Sequence, residues 1–241
     1  MSNKNQTASI FCLGLFLAFG LAACGYFIGQ TMYNAKVAIN IAEAKGLAER
    51  RVKSDRGNWS ISFSVAGIKQ DQIPALYELS EKNQNRIITV LKENGLEESE
   101  ISPGVIDYQY SEYRDDNQKL VDERHTLTGQ INVETSKVDV ITNARSAVNK
   151  LIAEGINIQN YAPTYRFTGL NEVKPEMLRE AAKNARIAAN EFAENAGAKV
   201  GGIREARQGN FFIRDAGEEY GDTNKIEKDV RVVTTITFYL E

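Results

Sequence analysis

A chain of 241 residues with 42% hydrophobic and 25% charged side chains is long enough for one substantial domain or two small ones, and too apolar for low-complexity disorder. Residues 1–33 carry a single charge, Lys4, so the remainder holds 28 basic against 32 acidic side chains, a net charge of −4. That balance argues against a nucleic-acid partner, because phosphate binding draws on clustered excess Lys and Arg.

The first element in the chain is a membrane segment. Ile10 to Ile28 is an uncharged run of nineteen residues, about 28 Å as a helix and so close to the ~30 Å of a bilayer's hydrocarbon core. A buried helix of a soluble protein usually carries a polar stripe, and this run has none. Two membrane readings compete. One is an uncleaved signal anchor. The other is a secretory signal in which Leu21-Ala22-Ala23-Cys24 has the form of a lipobox and Cys24 becomes a lipidated first residue. Tyr26, Phe27 and Ile28 continue the apolar run past Cys24, which favours the anchor. Lys4 on one side faces Lys36 and Lys45 on the other, so charge alone gives no orientation. Both cysteines, Cys12 and Cys24, fall within this segment, and the body beyond it has no thiol for a disulfide, a metal or covalent catalysis.

Three regions are expected: the membrane segment at 1–33, a charged junction at 34–55, and an α+β domain at 56–241. In the junction, Val37, Ile39 and Ile41 alternate like a short strand. Trp59, Ile61, Phe63 and Val65 alternate with serines, the period-two pattern of a strand with one buried face. A helix follows from Asp71 and Pro74 to Gly95, and then a hairpin of Ile106–Ser111 and Leu127–Val133. Ser136 starts a second helix that stops at Gly155. A strand at 158–167 follows, in which Pro163 marks an edge or a bulge. The third helix is expected from Pro175 to Gly197 with a narrow face of alanines, and two strands at 201–213 and 230–240 close the order. Hairpins mixed with helical crossovers, in the order β-α-β-β-α-β-α-β-β after the membrane helix, read as α+β with a mixed or antiparallel sheet.

Chemistry is thinly signalled. His125 is the only histidine, so multi-histidine metal sites are excluded, and without a nucleophile elbow it reads as a surface or strand-end residue. Gly197, Gly201 and Gly202 follow a helix end rather than precede a helix start, the wrong polarity for a phosphate cradle. The carboxylates of Glu97, Glu98 and Glu100, of Asp115 and Asp116, and of Glu218, Glu219 and Asp222 read as solvated acidic turns. Tyr108 and Tyr110 share a strand face, Tyr113 falls on the opposite one, and all three read as core or subunit contact. No catalytic, cofactor-binding or metal-binding residue is expected.

Gly46-Leu47-Ala48-Glu49-Arg50, followed by Val52, Asp55 and Trp59, resembles the start of a SIMPL domain. A second block, Ala181-Ala182-Lys183-Asn184-Ala185-Arg186 with Ala189, Ala193, Gly197 and Gly201-Gly202-Ile203, resembles that family's alanine-rich helix running into a Gly-bounded strand. Gly25-Tyr26-Phe27-Ile28-Gly29 resembles the end of the membrane segment in anchored members. The likeness covers about Gly46 to Glu241. It implies an α+β domain outside the cytoplasmic membrane, for which the apolar run read above supplies the tether: a single pass through residues 10–28 or, alternatively, lipidated Cys24. It also implies a tendency to homo-oligomers, a context of envelope integrity and oxidative stress, other envelope proteins as partners, and no agreed catalytic residues. The expected function is a non-enzymatic, self-assembling or interaction role in the envelope; a ligand-binding module or an unrecognised hydrolase is the alternative.

Overall fold

The uncharged run forms one continuous helix, α1 (Ser2–Lys36), in a computed structural model that describes residues 2–36 and 40–241. Its apolar window extends over Leu13–Ala35, 23 residues that are nowhere buried against the rest of the chain. A helix packed inside a soluble core is thereby ruled out, and the apolar stretch runs seven residues past the expected end at Ile28. Cys24 is free and exposed on it. The expected alternation at Val37 and Ile39 lies outside the described residues.

The chain divides into two compact units, residues 49–177 with 211–231, and residues 1–48, which include α1, with 178–210 and 232–241. The first is a six-stranded antiparallel sheet and two helices. Its strands are β2 (Arg56–Gly67), β3 (Ile101–Pro103), β4 (Asp107–Arg114), β5 (Leu120–Thr135), β6 (Asn157–Asn160) and β7 (Thr164–Arg166). The long strands β2 and β5 pair along their length from Gly57↔Thr135 to Gly67↔His125. β3 and β4 share the free side of β5, while β6 and β7 share that of β2. The strand expected at 158–167 is thus two short strands. Pro163, which has no N–H to give to a ladder, stands between them.

The period-two pattern of β2 turns Trp59, Ile61 and Phe63 inward, where they meet Ile87, Val90 and Leu91 of α2 (Ile73–Glu93) and Ile141, Ala144 and Val148 of α3 (Val138–Lys150). The Trp59 indole N–H is satisfied by Asn160 Oδ1 at 2.8 Å. Opposite Phe63 in the register stands Gly129, and a Cβ there would collide with the Phe63 ring. The phenyl group therefore lies over the bare backbone of its neighbour.

The second unit is built on small side chains. α4 (Leu170–Asn195) presents Ala181, Ala185, Ala189 and Ala193, all buried. They face β1 (Ile41–Lys53), whose inward positions are Ala44, Gly46 and Ala48. A Cβ on Gly46 would overlap the Ala181 carbonyl oxygen and the Ala185 amide nitrogen, so helix and strand touch backbone to backbone. Asn184 adds a 2.7 Å bond from its amide to the Leu47 carbonyl. β1 joins β9 (Glu227–Leu240) and β8 (Val200–Asp215) in a three-stranded sheet of order β1-β9-β8. The short strand allowed for in the junction is a full thirteen-residue sheet member.

α4 also corrects an expected boundary. It begins at Leu170, five residues before Pro175. Pro175 therefore stands inside the helix: its fixed φ is helix-compatible, but it leaves the Asn171 carbonyl without the amide that would close that turn. α2 and α4 end as expected, whereas α3 closes at Lys150, and hydrogen-bonded turns carry the chain on to Gly155. Gly95, Gly155 and Gly197 have φ of +94°, +89° and +72°. The amides of Leu96, Ile156 and Ala198 reach back to the carbonyls of Leu91, Leu151 and Ala193. Three Schellman caps account for the recurring helix-Gly-apolar steps.

Candidate interaction surface

β5 outruns its partner β2. Past the Gly67↔His125 pair only β4 accompanies it, from Tyr110↔His125 to Arg114↔Leu120, so the two strands continue as a two-stranded arm. Every residue of β4 is exposed, and β5 is its sole partner among the described strands, which leaves the outer row of β4 amides and carbonyls open. A right-handed ribbon this narrow holds its shape through its tip. There the Asp115 carboxylate accepts the amides of Asn117 and Lys119, both at 2.9 Å. Arg114 grips Glu112 through two nitrogens at 2.9 and 3.1 Å and also bonds the Gln118 carbonyl. The arm carries Tyr108, Tyr110, Tyr113, Leu120 and Val121, all exposed. Of the two roles considered for the three tyrosines, core or subunit contact, the core role is therefore wrong.

His125, expected at the surface or a strand end, is 2% exposed and sits in the middle of β5 at the root of the arm. Its Nδ1 shares a 2.7 Å hydrogen bond with the Tyr108 hydroxyl, and the Tyr110 ring lies 5.1 Å from the imidazole centroid. Nε2 is buried with no hydrogen-bond partner, and Glu123 Oε1 stands 3.7 Å away. The two tyrosines thus close over the histidine and bind both arm strands together. Sequence reasoning saw neither the burial nor the bond. The available signal was parity, since His125 falls in step with Leu127, Ile131 and Val133. Tyr108→Phe deletes the one partner of a buried ring and is expected to lower stability by about 1–3 kcal/mol. Urea unfolding of the full chain in detergent measures it; an unchanged midpoint would mean the hydroxyl contributes nothing.

The acidic turns resolve into local pairings. Glu97 meets Lys137 at 2.6 Å and Glu98 meets Lys92 at 3.2 Å. Glu100 accepts from Thr135 at 2.6 Å and from the Glu97 amide at 2.8 Å. Burial pushes the Glu100 carboxyl up, but these bonds and Lys137 outweigh it and leave it below the usual carboxylate range. Glu218 pairs with Lys225 at 2.7 Å. Among the described residues no three or more His, Cys, Asp or Glu side chains converge as metal ligands.

The end of the β8–β9 hairpin holds the feature that periodicity could not announce. Lys228 and Asp215 form an ion pair with side chains 0% and 2% exposed. Lys228 also donates to the Asp222 carbonyl at 2.7 Å, and Asp215 accepts the amides of Asn224 and Lys225 at 2.9 and 3.0 Å. The loop between the strands is wound around this pair. Burial pushes the Asp215 carboxyl up, but the bonds from Lys228 and the two amides more than offset it, and the group lies below its ordinary value. Asp229 is lowered chiefly by its bond to Arg51, against burial, and by the Gly217 amide.

The SIMPL family profile, described as "Protein of unknown function (DUF541)", matches residues 43–238. The chain belongs to the SIMPL family. The matched region of this SIMPL protein starts within β1 and ends within β9, so it takes in both units and leaves α1 outside. No curated protein matches the sequence. Among solved structures, a hydantoinase/carbamoylase-family amidase from Burkholderia vietnamiensis overlaps at 11% identity and TM-score 0.22, covering 69% of this chain and 37% of its own. One from Burkholderia ambifaria does so at 14% and 0.22, covering 59% and 36%. A hydrolase from Listeria innocua overlaps at 12% and 0.19, covering 76% and 90%. The SIMPL chain spans little more than a third of the two amidases, and overlays at these TM-scores carry no argument about fold or activity.

Proposed function

We propose that this SIMPL protein is a membrane-tethered, non-enzymatic scaffold of the bacterial cell envelope that works by self-association. α1 is its single anchor in the cytoplasmic membrane, and the body stands on the periplasmic or outer side. Anchoring through a lipidated Cys24 is the alternative form of the tether. The observation that carries the reading is the arm: an eight-residue edge strand with open backbone groups, beside three exposed tyrosines, on a rigid tip. Edge strands left uncovered are templates for another chain, and aromatic side chains contribute large contact area at low entropic cost. Confinement to a membrane raises the effective concentration of arms without any new contact. Support for a non-enzymatic role comes from the acidic clusters, in which the carboxylates of Glu97, Glu98, Glu100, Asp115 and Glu218 are engaged in local ion pairs and turn bonds. Stress tolerance would follow as a consequence of envelope integrity.

The test is a photo-cross-linking amino acid at Tyr113 in the full chain, in intact cells. An adduct between two copies is the expected product. Adducts only with a different envelope protein would keep the arm as the docking surface and reassign the partner. No adduct, together with a monomer in detergent at high concentration, would overturn the scaffold reading.

A further inference from the structure

The apolar window of α1 ends at Ala35, and Asn40 is already bonded into the folded body, its carbonyl accepting the Leu240 amide at 2.9 Å. A chain covers at most about 3.6 Å per residue, so the five steps from Ala35 to Asn40 reach about 18 Å whatever path they take. The headgroup layer on each side of the hydrocarbon core is itself about 5–7 Å thick. With Ala35 at the edge of that core, Asn40 stands no more than about 13 Å above the headgroup layer, and a shorter path brings it into contact.

What the body presents at Asn40 is one end of the second unit. β1 begins there at Ile41 and β9 ends there at Leu240. Lys199 and Glu241 exchange backbone bonds at 2.8 Å in both directions, which brings the start of β8 to the same end. α4 finishes there too, its Ala193 carbonyl capped by the Ala198 amide at 2.8 Å. The large side chains at this end are uncovered: Phe192 on the last turns of α4 is 68% exposed, and Ile41 and Tyr239 are exposed beside the strand ends. Their charged neighbours are mixed in sign, Lys199 and Arg204 against Glu194 and Glu241.

We infer that this end of the body is a lipid-docking face, with Phe192, Tyr239 and Ile41 seated in the headgroup layer of the bilayer that α1 crosses. The inference rests on the membrane tether proposed above. Aromatic and aliphatic side chains are favoured at that depth, and the mixed charge makes the contact apolar rather than a response to anionic lipid. A contact too weak to recruit a free domain suffices here, because the short connection supplies the local concentration. Docking also fixes how the rest of the body is carried relative to the bilayer, as a free tether would not.

The experiment uses the full chain with Cys12 and Cys24 replaced by serine, reconstituted into phosphatidylcholine vesicles that contain a lipid with a headgroup-borne quencher. A fluorophore is placed at Phe192→Cys, at Tyr239→Cys, or at Leu47→Cys, which lies on β1 six residues beyond Ile41 in the same unit; all three positions are exposed, so the fold tolerates them. The labels at 192 and 239 are expected to be quenched about threefold more than the label at 47, since a side chain seated about 5–10 Å into the headgroups meets the quencher. The difference should persist at about 1 M salt, where the Debye length is near 3 Å. Vesicles that float with the protein while all three labels quench alike would overturn docking and leave the tether standing. Protein that does not float with the vesicles would overturn the tether, and docking with it.

Discussion

Gly46→Ala is expected to cost at least about 3 kcal/mol and to abolish the folded state of the second unit at physiological temperature, because the added methyl overlaps main-chain atoms and not a side chain that could rotate away. The Ala181 carbonyl and the Ala185 amide belong to the helical ladder of α4. Relief therefore requires the whole helix to move off β1, which opens the contacts of Ala44, Ala185 and Ala189 with Ile236 and Phe238. Circular dichroism during thermal unfolding of the full chain in detergent measures the loss. A melting temperature within a degree or two of the parent would mean that the strand and helix are not in backbone contact. Gly202→Ala serves as the control, since a Cβ there meets nothing within 4 Å.

Lys228→Met is expected to destabilise by about 3–5 kcal/mol, the cost of leaving a buried carboxylate without its counter-charge. The methionine fills much the same volume, so the loss reports charge and not packing. Adding Asp215→Asn should recover part of it, because the buried charge is gone while the one remaining side-chain oxygen still accepts from one of the two amides, Asn224 or Lys225, that divide the carboxylate between them. If the single variant unfolded in urea at the parental midpoint, the pair would be idle. The same site sets an acid limit. Asp215 and Asp229 are held below the ordinary value of 3.8 in the folded state. Their contribution is therefore fully present above that value and is lost as pH falls through the lower folded values. Acid titration of the parent should show this loss below about pH 4, and the double variant should lack the part owed to Asp215.

The two cases differ in how far a linear reading could reach them. Gly46 stands in a block that resembles the family's opening motif, but β1 itself was masked by composition. Its inward positions are Ala44, Gly46 and Ala48, too small to contrast with the outward ones, and so hydrophobic alternation shows only a blurred junction. Their size is understood once the alanine face of α4 is laid against them. Lys228 carries the opposite lesson. It lies in step with the buried positions Val230, Val232, Ile236 and Phe238, yet a lysine is read as a sign that a strand has not begun. Only its distance to Asp215, thirteen positions back across the loop, makes burial affordable. His125 is a third instance, since its parity was that of a core position and its polarity argued for the surface until Tyr108 supplied a partner.

By itself the sequence determined the apolar helix at the start, the α+β order of the body, and the three glycine-capped helix ends, because each depends on interactions within a few residues of chain. The tertiary structure alone decided that β1 is a full sheet member, that Lys228 and His125 are buried, and that β4 and β5 run on as an arm. Those outcomes depend on which distant backbone or side chain arrives to satisfy a polar group, to fit against a bare glycine, or to leave a strand edge uncovered.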